Sequence, residues 1–322
     1  MRFWRVTADK ACVKARENEQ NRRRINRGRA DSDQKEGRKM FENIVLTGFA
    51  DEIATSLDTQ MQVLEKLHMN HIEMRGVDGR NFVEYSADQA REIKRRLDDK
   101  GYALSAVGSP IGKIGIKEDF APHMELFKHT VELAHIMDTP NIRMFSFYGP
   151  GEQESFKEYR GKVMEQLGQF AEYAAANGIV LLHENEKGIY GDTAEGCLDI
   201  LKQFAGEHFK AVFDFANFVQ VGQDTLEAYE MLKPYIAYIH VKDAILKDGS
   251  VVPAGYGDGN VKEILGRLKA AGYKGYLSLE PHLSDFTGFS SLEQDGQIGK
   301  KLSGEEAFTL AHDALIKILE EI

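Results

Sequence analysis

The sequence predicts a single (β/α)8 TIM barrel spanning residues 40–322, and three observations carry that prediction. Short apolar runs alternate strictly with amphipathic helical stretches, which is typical of parallel strands joined by right-handed crossovers. There are eight such units, and eight is the number of strands that closes this barrel. The 322 residues exceed the roughly 250 that one barrel needs, so length does not require a second globular domain.

The predicted strands are short and apolar, as expected for parallel strands that are covered on both faces. In chain order they span residues 44–46, 72–75, 104–107, 141–145, 180–184, 211–214, 237–240 and 276–280. Each of the last four runs ends in a residue that can bind a metal ion.

Between the predicted strands, apolar residues recur at the spacing of an α-helix. Ser86 is predicted to begin a helix that carries Ala90, Ile93 and Leu97 at spacings of three and four, and Gly101 ends it. The first predicted helix carries Met61, Leu64 and Leu67. The last one has an apolar stripe at Leu315, Ile318, Leu319 and Ile322. The remaining helices are predicted over residues 122–137, 156–177, 193–204, 226–232 and 261–271.

The net charge of -10 is unevenly distributed. Residues 1–39 hold 13 basic and 6 acidic residues, whereas the remainder holds 28 basic and 45 acidic ones. We interpret residues 1–39 as a disordered extension in preference to a nucleic-acid or membrane arm, and they lack the apolar core of a signal peptide. An acidic body repels phosphate backbones, which weighs against nucleic acid as a partner.

Composition excludes several classes of protein. Hydrophobic residues make up 42% of the chain, which is ordinary for a globular protein. No apolar run approaches the roughly 20 residues of a membrane span, so no membrane partner is expected. The chain has two cysteines, Cys12 and Cys197, which is too few for a disulfide framework and predicts a cytoplasmic protein.

Four successive strands each end in one potential metal ligand. These are Glu184, Asp214, His240 and Glu280. The carboxyl ends of the strands lie at the same end of a barrel, so the four side chains are expected to converge on one ion. Three carboxylates and an imidazole form a mostly oxygen site that suits Mn²⁺ first, with Mg²⁺, Co²⁺ and Zn²⁺ open.

The residue types of the predicted ligands indicate proton transfer assisted by a metal ion. A divalent ion polarises a carbonyl group and acidifies the neighbouring C–H, and a carboxylate on either side can remove and return the proton. Glu184 and Glu280 belong to the outer two of the four strands, so we predict that they flank an enediolate as the pair of bases.

Four motifs carry a resemblance to a known family. They are His183-Glu184-Asn185-Glu186-Lys187, Asp214-Phe215-Ala216-Asn217, His240-Val241-Lys242-Asp243 and Glu280-Pro281-His282. From about Ile44 onward the chain resembles the xylose isomerase-like barrel superfamily, in the sugar phosphate isomerase/epimerase group. The resemblance implies one metal at the four predicted ligands, with the two glutamates as proton carriers. It also implies an isomerase or epimerase acting on a small sugar or keto-sugar.

The same resemblance leaves alternatives open. Many relatives have a histidine where this chain has Asn217, which argues against the endonuclease branch with its additional metal-binding histidines. His183 before Glu184 resembles the C-glycoside deglycosidase α subunits, which act on 3-keto-glycosides with a β subunit. A lyase of that kind, or an inosose-type dehydratase, is therefore the alternative. A non-catalytic barrel that keeps its metal, and a homo-oligomer, also stay open.

His183 has two interpretations. It is a candidate extra catalytic base because it adjoins Glu184. Successive strand residues point to opposite faces, however, so a Glu184 that points into the site would turn His183 toward the helices.

Further polar residues near the strand ends are predicted to bind substrate. They are Arg143, Asn217, Lys242, His282 and Lys187. Lys187, Lys242 and Asp243 are expected one turn beyond the ligands. Glu73 and Arg75 are assigned to a structural pair with each other, and the glycine-rich segment 255–259 to a turn that shapes the rim, because it lacks the Lys-Ser/Thr of a phosphate loop.

Overall fold

The computed structural model of the protein describes residues 44–151, 155–283 and 301–322. The basic segment 1–39 lies outside the described residues, so its interpretation as an extension stays a prediction.

Eight parallel strands form a nearly closed barrel, as the sequence predicts. From the second strand to the eighth, each strand pairs with the next one along the chain, and the eighth pairs with the first. The first and second strands lie side by side at the seam. The strands are β1 (Ile44–Gly48), β2 (His71–Met74), β3 (Ala103–Val107), β4 (Asn141–Met144), β5 (Val180–Glu184), β6 (Phe209–Asp214), β7 (Ile236–Val241) and β8 (Gly275–Leu279).

Helices fill the connections between strands. They are α1 (Leu57–Lys66), α2 (Ala87–Asp98), α3 (Phe120–Ile136), α4 (Phe156–Ala176), α5 (Ala194–Phe204), α6 (Phe215–Gln220), α7 (Thr225–Leu232), α8 (Val261–Ala270) and α9 (Gly304–Glu321). Ser86 begins α2 with a reciprocal capping box to Gln89, which confirms the predicted helix start. The short helix α6 was not predicted, and it begins directly at Asp214.

The barrel interior contains an unusual amount of polar side chain. The Thr47 and Ser105 hydroxyl oxygens lie 2.7 Å apart, and Ser105 Oγ lies 2.9 Å from the Tyr238 hydroxyl. Ser278 Oγ donates to Glu73 Oε2 at 2.6 Å. All five side chains are essentially buried, so their hydrogen bonds to each other replace those with water.

The loop that follows β7 is organised around one buried carboxylate. Asp243 accepts the backbone N–H groups of Ala244, Gly255, Gly257 and Gly259 at 2.8 to 3.0 Å. A β-carbon at Gly257 would lie 2.5 Å from Asp243 Oδ1, so only glycine permits this approach. The N–H groups of segment 255–259 therefore surround an internal carboxylate, which agrees with its interpretation as a rim turn.

No helix in the described segments is both long and apolar enough to cross a lipid bilayer.

Candidate metal centre

The four predicted ligands meet at the carboxyl end of the barrel. Glu184, Asp214, His240 and Glu280 each offer one donor atom, and these atoms all lie within 4.8 Å of one another. His240 Nδ1 lies 3.0 Å from Glu184 Oε1, 3.6 Å from Glu280 Oε2 and 3.8 Å from Asp214 Oδ2. All four side chains are buried, so water competes weakly for the donor atoms.

Strand register and a helix start position Asp214. It pairs directly with His240 between β6 and β7. Its Oδ1 caps α6 by accepting the Asn217 N–H at 2.8 Å, which leaves Oδ2 directed at the cluster. Oδ2 lies 3.1 Å from Lys242 Nζ but accepts no aligned hydrogen bond within the described residues. A buried carboxylate oxygen without such a donor is suited to a cation.

Two asparagine side chains hold the ligand-bearing ends of β5 and β6 together. The Asn185 amide donates to the Asp214 carbonyl and accepts the Asp214 N–H, at 3.0 and 2.9 Å. Asn217 Nδ2 donates to the Asn185 carbonyl at 2.8 Å and to Glu184 Oε1 at 3.3 Å. The sequence predicted Asn217 as a substrate-binding residue but did not reveal Asn185, whose only signal was its position between two glutamates.

Arg143 lies beside Glu184, with Nη1 3.2 Å from Glu184 Oε2. Its guanidinium group stacks near the rings of Phe49 and Phe145, at 4.8 and 4.9 Å from their centroids. Nη2 donates to the carbonyl groups of Gly108 and Ser109. The structure thus brings this predicted substrate-binding residue to the cluster and fixes its orientation.

Lys242 lies within the ligand cluster, where the sequence placed it one turn farther out. Its Nζ lies 2.8 Å from Glu280 Oε2 and 3.1 Å from Asp214 Oδ2. The physical reason is strand periodicity: Lys242 is two residues after His240 and therefore shares its face. Asp243 has the opposite parity, which turns it to the glycine loop and away from the cluster.

The charges around the cluster set the protonation states of its acids. Burial raises the pKa of Glu184, but His240 and Arg143 outweigh it and lower the pKa to about 2. Burial likewise opposes ionisation of Glu280, but Lys242, His282 and His240 hold its pKa well below the usual value. For Asp214 burial dominates, helped by the two neighbouring glutamates, and the pKa rises to about 7. Both glutamates are therefore ionised and able to accept a proton.

Glu73 reaches His240 through the barrel interior, and its assignment to a pair with Arg75 was wrong. Glu73 Oε2 lies 3.1 Å from His240 Nε2. Arg75 instead contacts Asp51 at 2.8 Å, Glu52 at 3.2 Å and Glu280 at 3.4 Å. Glu73 therefore finds its partners in the buried interior of the barrel, whereas Arg75 finds its partners in the loop after β1 and at Glu280.

His282 lies at the edge of the cluster, whereas Lys187 is exposed. His282 Nε2 is 3.3 Å from both Glu280 Oε1 and Glu52 Oε1, and 43% of its side chain is exposed, so a ligand in the barrel mouth can reach it. Lys187 lies on the exposed loop after β5. The structure does not bring Lys187 to the four ligands.

His183 lies on the outer face of β5, as strand alternation required. Its ring stacks on Phe209 with centroids 6.3 Å apart, and it is 1% exposed. Gly191 packs so closely that a β-carbon there would lie 2.5 Å from His183 Cε1. The candidate role as an extra base thus lacks geometric support, because His183 and Glu184 point to opposite faces.

The residues present fit a divalent cation. Three carboxylates and one imidazole, all buried, direct their donor atoms at a common centre, and this donor set is preferred by hard or borderline divalent ions. Glu184, Asp214, His240 and Glu280 could bind one such metal.

Comparison with known proteins supports the same fold. A sequence model of the family described as xylose isomerase-like TIM barrel matches residues 61–302. A 3-dehydroshikimate dehydratase of Bacillus anthracis is 22% identical over 172 residues, or 53% of this chain. The alignments span 61% and 56% of the lengths of the two curated relatives found, so the chain covers less than two thirds of either.

Solved structures extend the likeness over most of the chain. The IolI protein with a bound zinc atom has a TM-score of 0.68 at 17% identity, over 87% of this chain and 98% of its own. An L-ribulose 3-epimerase has a TM-score of 0.64 at 18% identity, over 87% of this chain and 95% of its own. At 17% and 18% identity, the likeness to these structures establishes the fold alone.

Proposed function

Because the chain belongs to the xylose isomerase-like TIM barrel family, we propose that it is a metal-dependent isomerase or epimerase of a small sugar or keto-sugar. Proton transfer through an enediolate is the proposed reaction. One observation carries the proposal: Glu184 and Glu280 reach the same buried cluster from opposite sides, with Asp214 and His240 between them. Two ionised carboxylates that flank a substrate carbon can remove its proton and return one to it.

The proposed cofactor is one divalent ion, Mn²⁺ first, with Mg²⁺, Co²⁺ and Zn²⁺ as the other candidates. Glu184, Asp214, His240 and Glu280 would hold it. When bound, such an ion polarises a substrate carbonyl group and makes the neighbouring C–H more acidic.

Each glutamate has a defined task in this proposal. One removes the proton from the carbon beside the carbonyl group, and the other returns a proton to that carbon or its neighbour. A proton returned to the opposite face of the same carbon inverts it, which is an epimerisation. A proton returned to the former carbonyl carbon gives an isomerisation, in which the hydroxyl proton of the first carbon also moves to the former carbonyl oxygen. Arg143 beside Glu184 and Lys242 beside Glu280 balance the charge as each carboxylate gains and loses its proton.

Residues at the mouth of the barrel are proposed to bind the substrate hydroxyl groups. Lys242, Asn217 and Arg143 lie within the cluster, and His282 lies at its edge. Lys187 is too exposed to contribute to this set. The L-ribulose 3-epimerase among the structural neighbours supports a carbohydrate ligand.

A lyase is the second candidate, and the dehydratase among the curated relatives favours it. The same deprotonation by a glutamate would be followed by loss of a leaving group from the next carbon. The departing hydroxyl would take up the proton that the glutamate removed, while Lys242 Nζ, 2.8 Å from Glu280, stabilises the negative charge. An inosose-type dehydratase and a 3-keto-C-glycoside deglycosidase α subunit, which would need a β subunit, both belong to this class.

A panel of keto-sugars in D₂O tests the proposal. The metal content of the purified protein is measured first, and the panel is then followed by NMR. Deuterium incorporated without loss of water or aglycone supports the isomerase or epimerase, and elimination products support the lyase. A protein that binds metal but exchanges no proton in any panel member would instead be a barrel that keeps its ion for stability.

A further inference from the structure

We propose that Glu73 is the positioning residue that fixes His240 as a metal ligand. Its carboxylate accepts the proton of His240 Nε2, so that Nδ1 presents its lone pair to the cation. This inference rests on the metal site of the proposed function and adds a residue from β2, outside the four predicted ligands.

The two nitrogens of the His240 ring have different partners. Nε2 lies 3.1 Å from Glu73 Oε2 and 3.3 Å from Oε1. Nδ1 lies on the other side, among the carboxylates of Glu184, Asp214 and Glu280. His240 and Glu73 are both 0% exposed, so water does not replace either contact.

The hydrogen bonds around Glu73 determine which nitrogen carries the proton. Ser278 Oγ donates to Glu73 Oε2 at 2.6 Å, so this carboxylate is already a hydrogen-bond acceptor. An ionised carboxylate only accepts hydrogen bonds, so the proton shared with His240 belongs to Nε2. The neutral ring then has its lone pair on Nδ1, where the other three ligands converge.

Strand pairing holds this arrangement in place. Ser278 is the direct partner of His240 between β8 and β7, so the donor to Glu73 and the imidazole stand side by side. Glu73 approaches from β2, across the interior of the barrel. A carboxylate behind a metal-binding imidazole orients the ring and raises its basicity, and loss of such a partner typically weakens metal binding about 10- to 100-fold.

Glu73→Gln is the decisive variant. The amide oxygen can still accept from Ser278 and from Nε2, which share Oε2 in the wild type, but an uncharged amide cannot raise the basicity of the imidazole as a carboxylate does. We expect Mn²⁺ and Co²⁺ to bind about 10- to 100-fold more weakly than to the wild type. Thr47→Val is the matched control: it removes a buried hydroxyl from the same interior, where Thr47 bonds to Ser105 at 2.7 Å, and leaves Glu73, Ser278 and His240 intact, so metal affinity should change by less than about threefold.

A spectroscopic readout separates positioning from structure. Imidazole ¹⁵N spectra of the Zn²⁺-loaded wild type should show His240 protonated at Nε2, and circular dichroism should show both variants folded. A wild type that binds no metal would overturn the proposed function itself. A wild type that binds metal, with Glu73→Gln binding equally well or Thr47→Val weakened equally, would overturn the role of Glu73 alone.

Discussion

Lys242 Nζ lies 2.8 Å from Glu280 Oε2, whereas the other proposed proton carrier, Glu184, has Arg143 at 3.2 Å. The two glutamates therefore differ in their cations. The Arg143 guanidinium is held between two aromatic rings and by backbone carbonyl groups, whereas Lys242 ends in a single ammonium with three donors. Burial opposes the charge of Lys242, but Asp214, Glu280 and Glu184 outweigh it and raise the pKa above its usual value. Lys242 therefore stays protonated, as Arg143 does, and each cation stabilises negative charge on its own side of the cluster.

Replacing either proposed base should abolish turnover. In Glu184→Gln or Glu280→Gln the amide neither binds the metal as a carboxylate does nor accepts a proton. Loss of an acid–base residue typically costs about 10²- to 10⁴-fold in rate, and kcat on the substrate found by the panel should fall by at least that factor.

Glu186→Gln is the matched control for these two variants. Glu186 lies on the same loop as Glu184, but its partner is Lys113 at 2.7 Å and it is not among the clustered donors. Its turnover should stay within a few-fold of the wild type. Rates near the wild type in Glu184→Gln or Glu280→Gln would remove that glutamate from the reaction.

Removing the metal should lower thermal stability as well as activity. Arg143 and Lys242 offset part of the repulsion among the three carboxylates, and a metal would offset more of it. A ligand at about 100 times its Kd stabilises a protein by about 2.7 kcal/mol. Dialysis against a chelator should therefore lower Tm by several degrees, and Mn²⁺ should restore it. An unchanged Tm after verified metal removal would contradict a metal held at this cluster.

The order of the barrel and the convergence of the four donor groups were predictable from the sequence. Each ligand ends an apolar strand, and parallel strands deliver their last residues to the same rim. The same period of two predicted that His183 faces away from Glu184. These features depend on local pattern and topology alone.

The partners of Glu73 and Asp243 were not predictable in this way. Glu73 bonds across the barrel interior to a residue 167 positions later in the chain, and a register shift lies directly before it in the ladder of β2 with β3. Asp243 looked like a rim residue because no sequence pattern shows that distant glycine N–H groups converge on it. Long-range side-chain partners depend on register and loop geometry, which composition does not encode.

Asp243→Asn should destabilise the protein through the glycine loop. The substitution would place an amide NH₂ group against backbone N–H donors that now bond to a carboxylate oxygen. Unsatisfied buried donors cost about 1 to 3 kcal/mol, so urea unfolding should show a loss of that size. Asp248→Asn is the control, because Asp248 is exposed and accepts its hydrogen bonds from the neighbouring Ser250. Equal losses in both variants would contradict the role of Asp243.

His183 should make stability depend on pH. Burial lowers the pKa of His183 from 6.5 to about 4, so below pH 6.5 the unfolded chain binds a proton that the folded protein does not. The stability that neutral His183 contributes is therefore complete above pH 6.5 and is lost as the pH falls toward 4. A shift of this size corresponds to roughly 3 kcal/mol.

The His183→Leu variant isolates this contribution. Leucine has no titrating group, so the difference in unfolding free energy between about pH 7.5 and pH 4.5 should be smaller in the variant than in the wild type by roughly 2 to 3 kcal/mol. Urea unfolding of both proteins at the two pH values measures that difference, and comparing differences cancels the change in packing and the titration of the acidic cluster. An identical pH dependence in both proteins would contradict this prediction. It would show that the His183 imidazole can be protonated in the folded state, in its pocket between Phe209 and Gly191.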